Sequence, residues 1–169
     1  MKQIKLINLE NVSESQANKY KIRNAARAIV FDENKLVALL HATKNYYYKL
    51  PGGGIEDGED NEIALRRECK EEIGCDIEII RELGFTLEYR KKYNLKQTSY
   101  CYIAKVVGEK RQPNLTESEI DEGFTTVWLS LEDAIKKIQE SKPTTYEGPY
   151  MVARDTALLQ AAEKEKIAI

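Results

Sequence analysis

The sequence predicts an α/β fold of the α+β kind, with a mixed β-sheet and helices packed on both of its faces. Two observations carry this. Apolar runs of strand length recur between Ala25 and Leu129. The helical segments among and after them do not alternate strictly with the strands, as they would in a doubly wound parallel sheet. The length of 169 residues fits one domain, residues 1–169, with a sizeable core. Residues 1–22 read as an N-terminal extension or an edge strand.

The elements follow in order. The stretch to about Tyr20 is polar after an apolar start at Ile4, Leu6 and Ile7. Ala25–Phe31 and Lys35–His41 are apolar runs separated by Asp-Glu-Asn, the pattern of a hairpin. A tyrosine-rich loop, Asn45–Tyr48, leads to Leu50-Pro51-Gly52-Gly53-Gly54. Asp60–Ile73 reads as a helix with a narrow apolar stripe of Leu65, Cys69 and Ile73, stopped by Gly74. Asp76–Tyr89 and Thr98–Val107 read as strands, Gly108–Glu122 as a polar loop, and Phe124–Leu129 as a further strand. Ser130 with Asp133 caps a helix running to about Gln139. Pro149 suits the first turn of a last helix that ends near Lys166.

Composition excludes several classes. Apolar residues make up 42% and charged residues 32%, which is globular and neither disordered nor membrane-spanning. A net charge of −2 supplies no general basic field for nucleic acid, so a nucleic-acid partner is not expected. No run of eighteen apolar residues exists to span a bilayer, and the N-terminus does not read as a signal peptide. Three cysteines, Cys69, Cys75 and Cys101, with no CxxC pair, suggest reduced thiols in a cytoplasmic protein and no structural zinc.

The segment GGIEDGEDNEIALRRECKEEIGC, Gly53–Cys75, carries the chemistry. Glu68, Glu71 and Glu72 adjoin one another on the helix, where like charges at i,i+4 repel. Something positive between them relieves that repulsion, and a hard divalent cation prefers carboxylate oxygens. Their arc lies about a quarter turn from the apolar stripe. A solvated helix face gives the same residues, with Arg67 paired to Glu71 under either reading. The glycines permit positive φ and close approach of a ligand, and a helix start near Asp60 offers N–H groups to a phosphate; hairpin turns also use such glycines.

Gly53, Glu59, Arg67, Glu68, Glu71, Glu72 and Gly74 stand at all seven fixed positions of the Nudix box, so the chain resembles the Nudix hydrolases of MutT type. Cys69 and Cys75 depart mildly, standing where bulky aliphatics are usual. The preceding Leu-Pro-Gly-Gly and the later Trp128-Leu129 extend the likeness.

The resemblance implies an α/β/α sandwich with a mixed sheet. It implies Mg²⁺-dependent hydrolysis, with Mn²⁺ as a substitute, of a nucleoside diphosphate linked to X. A nucleoside triphosphate, a dinucleoside polyphosphate and a nucleotide sugar all qualify, and the products are a nucleoside monophosphate and phospho-X. It assigns Gly52, Glu68, Glu71 and Glu72 as metal ligands and Glu59 and Arg67 as supports behind them. Glu122 is the expected general base, ahead of Glu117 and Glu119, with Glu68 its rival. A non-catalytic regulatory module and an RNA 5′-end pyrophosphohydrolase are the alternatives, and a homodimer is compatible.

Substrate contacts are expected from Gly53, Gly54, Tyr48, Tyr93 and Arg90. Tyrosine rings can stack on a base, although ten tyrosines also suit half-wet strand positions. Arg90 belongs to a basic run with Lys91, Lys92 and Lys96 that could receive extra phosphates or simply be solvated. His41 has no assigned role.

Overall fold

The computed structural model describes residues 1–165. In chain order the elements are β1 (Gln3–Ile7), α1 (Glu14–Ala17), β2 (Lys21–Phe31), β3 (Val37–Ala42), β4 (Tyr47–Lys49) and α2 (Asn61–Ile73). Then follow β5 (Asp76–Arg90), β6 (Leu95–Val107), α3 (Glu117–Asp121), β7 (Phe124–Leu129), α4 (Leu131–Gln139) and α5 (Gly148–Lys164). The strands form one mixed seven-stranded sheet in the order β1-β5-β6-β2-β3-β4, with β7 along the other side of β3. The β1–β5 and β2–β6 pairs are parallel and the rest antiparallel.

The predicted fold class is the observed one. Helix α2 packs on one face over Ala26, Ala28, Val30, Leu40 and Tyr102. Helices α4 and α5 cover the other, over Ile29, Leu39, Leu50, Cys101 and Ile103. Alternation along β2 sends neighbouring residues to opposite cores, each fully buried aliphatic contributing roughly 1.5–3 kcal/mol. All three cysteines are free and buried. Among the described residues no helix is long and apolar enough to cross a membrane.

Of the two readings of residues 1–22, the edge strand holds for Gln3–Ile7, which pairs parallel with Phe85–Glu88. Several other expectations need correction. The expected hairpin between β2 and β3 is joined only at Phe31 and Val37, because the strands diverge beyond the Asp32 turn. There Asp32 Oδ1 accepts the Asn34 and Leu36 N–H groups at 2.9 Å. Asn45–Tyr48 is not wholly loop, since Tyr47–Lys49 pairs with Leu40–Ala42 as β4. The polar Gly108–Glu122 segment contains α3, nucleated by a reciprocal cap between Thr116 and Glu119. The last helix ends at Lys164; Lys166 lies outside the described residues.

Candidate active site

The divergence of β2 from β3 creates the site. Pro51–Ile55 fills the splayed edge: Ala28 N–H donates to the Pro51 carbonyl at 3.1 Å, Ala26 N–H to Gly53 at 3.0 Å, and Ile55 N–H to Asn24 at 3.1 Å. Gly52 has φ +126°, and a Cβ there would stand 2.2 Å from the Ala26 carbonyl oxygen, so only glycine fits. A Cβ on Gly53 would lie 2.2 Å from Glu68 Oε1; the carboxylate rests directly on the bare glycine.

Helix α2 presents the acids to this loop. Asp60 accepts the Ile63 N–H at 2.8 Å and caps its start, and Gly74 at φ +66° ends it. Arg67 is the hub. Its Nε and Nη2 grip Glu59 at 2.7 and 2.9 Å, its Nη1 reaches Glu68 at 2.8 Å and Glu71 at 3.3 Å, and Nη2 also donates to the Gly54 carbonyl at 3.1 Å. The two-pronged grip holds the Glu59 carboxyl down to about 2. A guanidinium thus stands between Glu68 and Glu71, and the expected pairing of Arg67 with Glu71 is present.

Glu72 faces the other way. It is 2% exposed, its Oε1 lies 2.6 Å from Lys49 Nζ, and its Oε2 accepts the Gly52 N–H at 2.6 Å. Burial raises its carboxyl pKa against the lowering influence of Lys49 and Gly52. As placed, no three His, Cys, Asp or Glu side chains among the described residues converge closely enough to hold an ion. The donor chemistry nonetheless suits one: Glu68 and Glu71 turn hard oxygens toward the same guanidinium nitrogen beside Gly53, and Glu72 approaches the loop at Gly52.

The remaining expected residues are scattered. Glu122 closes α3; its Oε2 accepts from Asn45 at 3.0 Å and from the Tyr47 hydroxyl at 3.3 Å, and none of its hydrogen bonds goes to a box residue. Glu119 is committed to its cap at Thr116. Tyr48 already stacks on His41, with centroids 4.1 Å apart and planes 7° from parallel. The Tyr93 hydroxyl donates to Glu147, and its ring meets Tyr146 edge-on at 5.2 Å. Arg90 is no part of a solvated basic run: it is buried against Glu88 at 2.6 Å, under Tyr150.

Sequence reasoning missed Lys49, Arg23 and Arg27, and left open whether the last helix, with Arg154 and Asp155, touches the pocket. Arg154 and Asp155 are fully buried on α5, and Asp155 Oδ2 accepts the Leu50 N–H at 3.0 Å. The glycine loop is thus held from both faces of the sheet, by Glu72 on one and Asp155 on the other. The signal available was Arg23 and Arg27, four apart in a strand, which places both charges on one face.

The NUDIX domain family model matches residues 21–148. The chain belongs to the NUDIX family. This Nudix chain is a hydrolase. It is 31% identical over 107 residues to an RNA pyrophosphohydrolase of Sulfurovum sp. (strain NBC37-1), covering 59% of this chain and 68% of that protein. It is 32% identical over 94 residues to the diphosphoinositol polyphosphate phosphohydrolase NUDT4B of Homo sapiens, covering 56% of this chain and 49% of that one. The MutT protein from Methanosarcina mazei Go1 shares the fold, with a TM-score of 0.62 at 17% identity over 89% of this chain and 99% of the other.

Proposed function

We propose that residues 1–169 act as one catalytic unit that hydrolyses a pyrophosphate bond in a nucleoside diphosphate linked to X, using Mg²⁺. The observation that carries this is the grouping of Glu59, Glu68, Glu71 and the Gly54 carbonyl around Arg67, against glycines that leave the loop open to phosphates. Glu68 and Glu71, with the Gly52 carbonyl, would hold the ion, and Glu72 would join them once its pair with Lys49 opens. A bound Mg²⁺ supplies charge neutralisation at the phosphates and a lowered pKa for the attacking water. Arg67 and Glu59 orient the ligating carboxylates.

Glu122 is our first choice for the general base. Its Oε1 has only the Ser118 hydroxyl at 3.5 Å, while its Oε2 is engaged. Glu68, flush on Gly53, is the alternative. The test is turnover of nucleoside triphosphates, nucleotide sugars and dinucleoside polyphosphates with and without Mg²⁺. Glu68→Gln and Glu72→Gln should each lower kcat by about 10²-fold or more. The base is whichever of Glu68→Gln and Glu122→Gln removes the acid limb of the pH profile. Turnover that survives chelation, or wild-type rates in Glu72→Gln, would overturn the reading.

A second reading is hydrolysis at an RNA 5′ end, favoured by the Sulfurovum relative. A steep fall of RNA turnover with salt would support it over the small-nucleotide reading.

A further inference from the structure

Behind the glycine loop, on the α5 side of the sheet, lies a polar layer that the hydrolytic chemistry above does not use. Its rows follow the strand register. Arg23 on β2 pairs with Gln97 on β6, which pairs with Glu88 on β5; the next row along is Ala25, Ser99 and Thr86. Arg27 follows on β2, and Arg154 of α5 closes over the layer, fully buried.

The charges do not balance. Four arginines, Arg23, Arg27, Arg90 and Arg154, meet two carboxylates. Glu88 takes Arg90 at 2.6 Å and Arg154 at 3.7 Å, and Asp155 takes Arg154 at 2.6 Å. Arg23 reaches only the neutral Gln97 carbonyl, at 2.6 Å. Arg27, 4% exposed, donates from neither Nε nor Nη1. Of five buried side-chain polar atoms without a hydrogen-bond partner among the described residues, four lie in this layer: Arg27 Nε, Arg27 Nη1, Thr86 Oγ1 and Arg154 Nη1, the last with only its 3.7 Å ion pair to Glu88. Buried donors are almost always satisfied, so a cluster of orphans marks a missing acceptor. Burial and the neighbouring Arg154 push Arg27 down to about 10, against the raising influence of Asp155 and Glu72.

The layer also has an entrance. Arg23 is exposed at its edge, and its Nη2 would lie 3.1 Å from a Cβ on Gly54. Gly52, in turn, lies against the Arg27 backbone. The surplus positive charge therefore adjoins the loop on which Glu68 rests, on the far side from α2.

We propose that Arg23, Arg27 and Arg154 form an anion subsite that takes a phosphoryl group of the substrate beyond the scissile diphosphate. This deepens the hydrolase reading and rests on it for the occupant. The preferred substrates then carry three or more phosphoryl groups. Guanidinium groups suit this role because their donors match phosphate oxygens in pairs and stay charged when desolvated.

The first test is calorimetric binding of inorganic tripolyphosphate in metal-free buffer, which needs no turnover. The wild-type chain should bind it, Arg27→Met should weaken binding at least tenfold, and Arg23→Gln should weaken it severalfold. Free of ligand, Arg27→Met should melt no lower than wild type, because an unpaired buried charge has been removed. Should Arg27→Met fail to fold, Arg23→Gln at the exposed entrance carries the test. No binding by wild type, or unchanged affinity in the variants, overturns the subsite. Inorganic phosphate, run in parallel, should bind more weakly than tripolyphosphate; equal affinity would make the ligand free phosphate and overturn the substrate assignment.

The second test compares KM for ADP-ribose, with two phosphoryl groups, and diadenosine tetraphosphate, with four. Arg23→Gln should raise KM for the tetraphosphate about tenfold and change that for ADP-ribose less than twofold. An equal rise in both overturns the assignment while leaving the hydrolase reading intact. Tripolyphosphate binding without turnover of any nucleotide supports the subsite and sinks the nucleotide reading.

Discussion

Lys49 Nζ lies 2.6 Å from Glu72 Oε1, and both side chains are buried. The pair stands at the carboxylate that the sequence marks as a metal ligand. If Glu72 ligates a divalent ion as proposed, that ion and the Lys49 ammonium would compete for one acid, and substrate phosphates would tip the balance by offering Lys49 another partner.

Lys49→Met should expose that competition. Breaking one side of a buried ion pair leaves Glu72 uncompensated, at about 3–5 kcal/mol, or roughly 6–20 °C in Tm for a chain this size. Added Mg²⁺ should restore more Tm in Lys49→Met than it adds to wild type, since Glu72 is now free for the ion. Thermal melts with and without Mg²⁺ decide it, and equal shifts in both proteins would remove the competition.

Arg67→Lys keeps the charge but loses the fork. Arg67 serves Glu59, Glu68, Glu71 and the Gly54 carbonyl together, which a single ammonium cannot reproduce. Support of this kind is worth about 10–100-fold in metal affinity or activity. The Mg²⁺ concentration for half-maximal rate should rise by that factor while the protein stays folded by circular dichroism; an unchanged metal requirement would show that Arg67 does not orient the acids.

The box was legible because its signal is local. Asp60 as cap, Gly74 as stop and the Leu65, Cys69, Ile73 stripe fix α2 from sequence alone, and Ser130 and Pro149 did the same for α4 and α5. What helical spacing could not show is which partner each acid takes, because Lys49 comes from β4 and Asp155 from α5, remote in sequence. Arg90 misled for the same reason. It reads as part of Arg-Lys-Lys on a surface, yet strand alternation turns it inward to Glu88. Tyr47–Lys49 was hidden because three strand residues next to prolines and glycines carry no period of their own.

Glu59 sets a pH dependence with a definite sign. Its folded pKa is depressed from 4.5 to about 2 by Arg67, so its contribution to stability is present above 4.5 and is lost as pH falls from there through about 2. Urea midpoints should fall more steeply for wild type than for Glu59→Gln between those limits, and the two should converge near the acid end. Parallel curves across the range would show that the grip on Glu59 is not held in solution.

Asp155 tests whether α5 reaches the loop. Its Oδ2 accepts the Leu50 N–H at 3.0 Å, and both of its oxygens take Arg154, at 2.6 and 2.9 Å. Asp155→Ala leaves a buried N–H without an acceptor and strips Arg154 of its main partner, at about 3–5 kcal/mol. Asp155→Asn keeps an acceptor for Leu50 and loses only the charge, so it should cost less. Because Leu50 is two residues from Gly52, slackening there should loosen the Gly52 N–H bond to Glu72 on the opposite face. Hydrogen exchange at the Gly52 amide should therefore speed up in Asp155→Ala beyond what global destabilisation explains, as judged against amides in β6. Protection at Gly52 that merely tracks β6 would confine Asp155 to a packing role and sever α5 from the site.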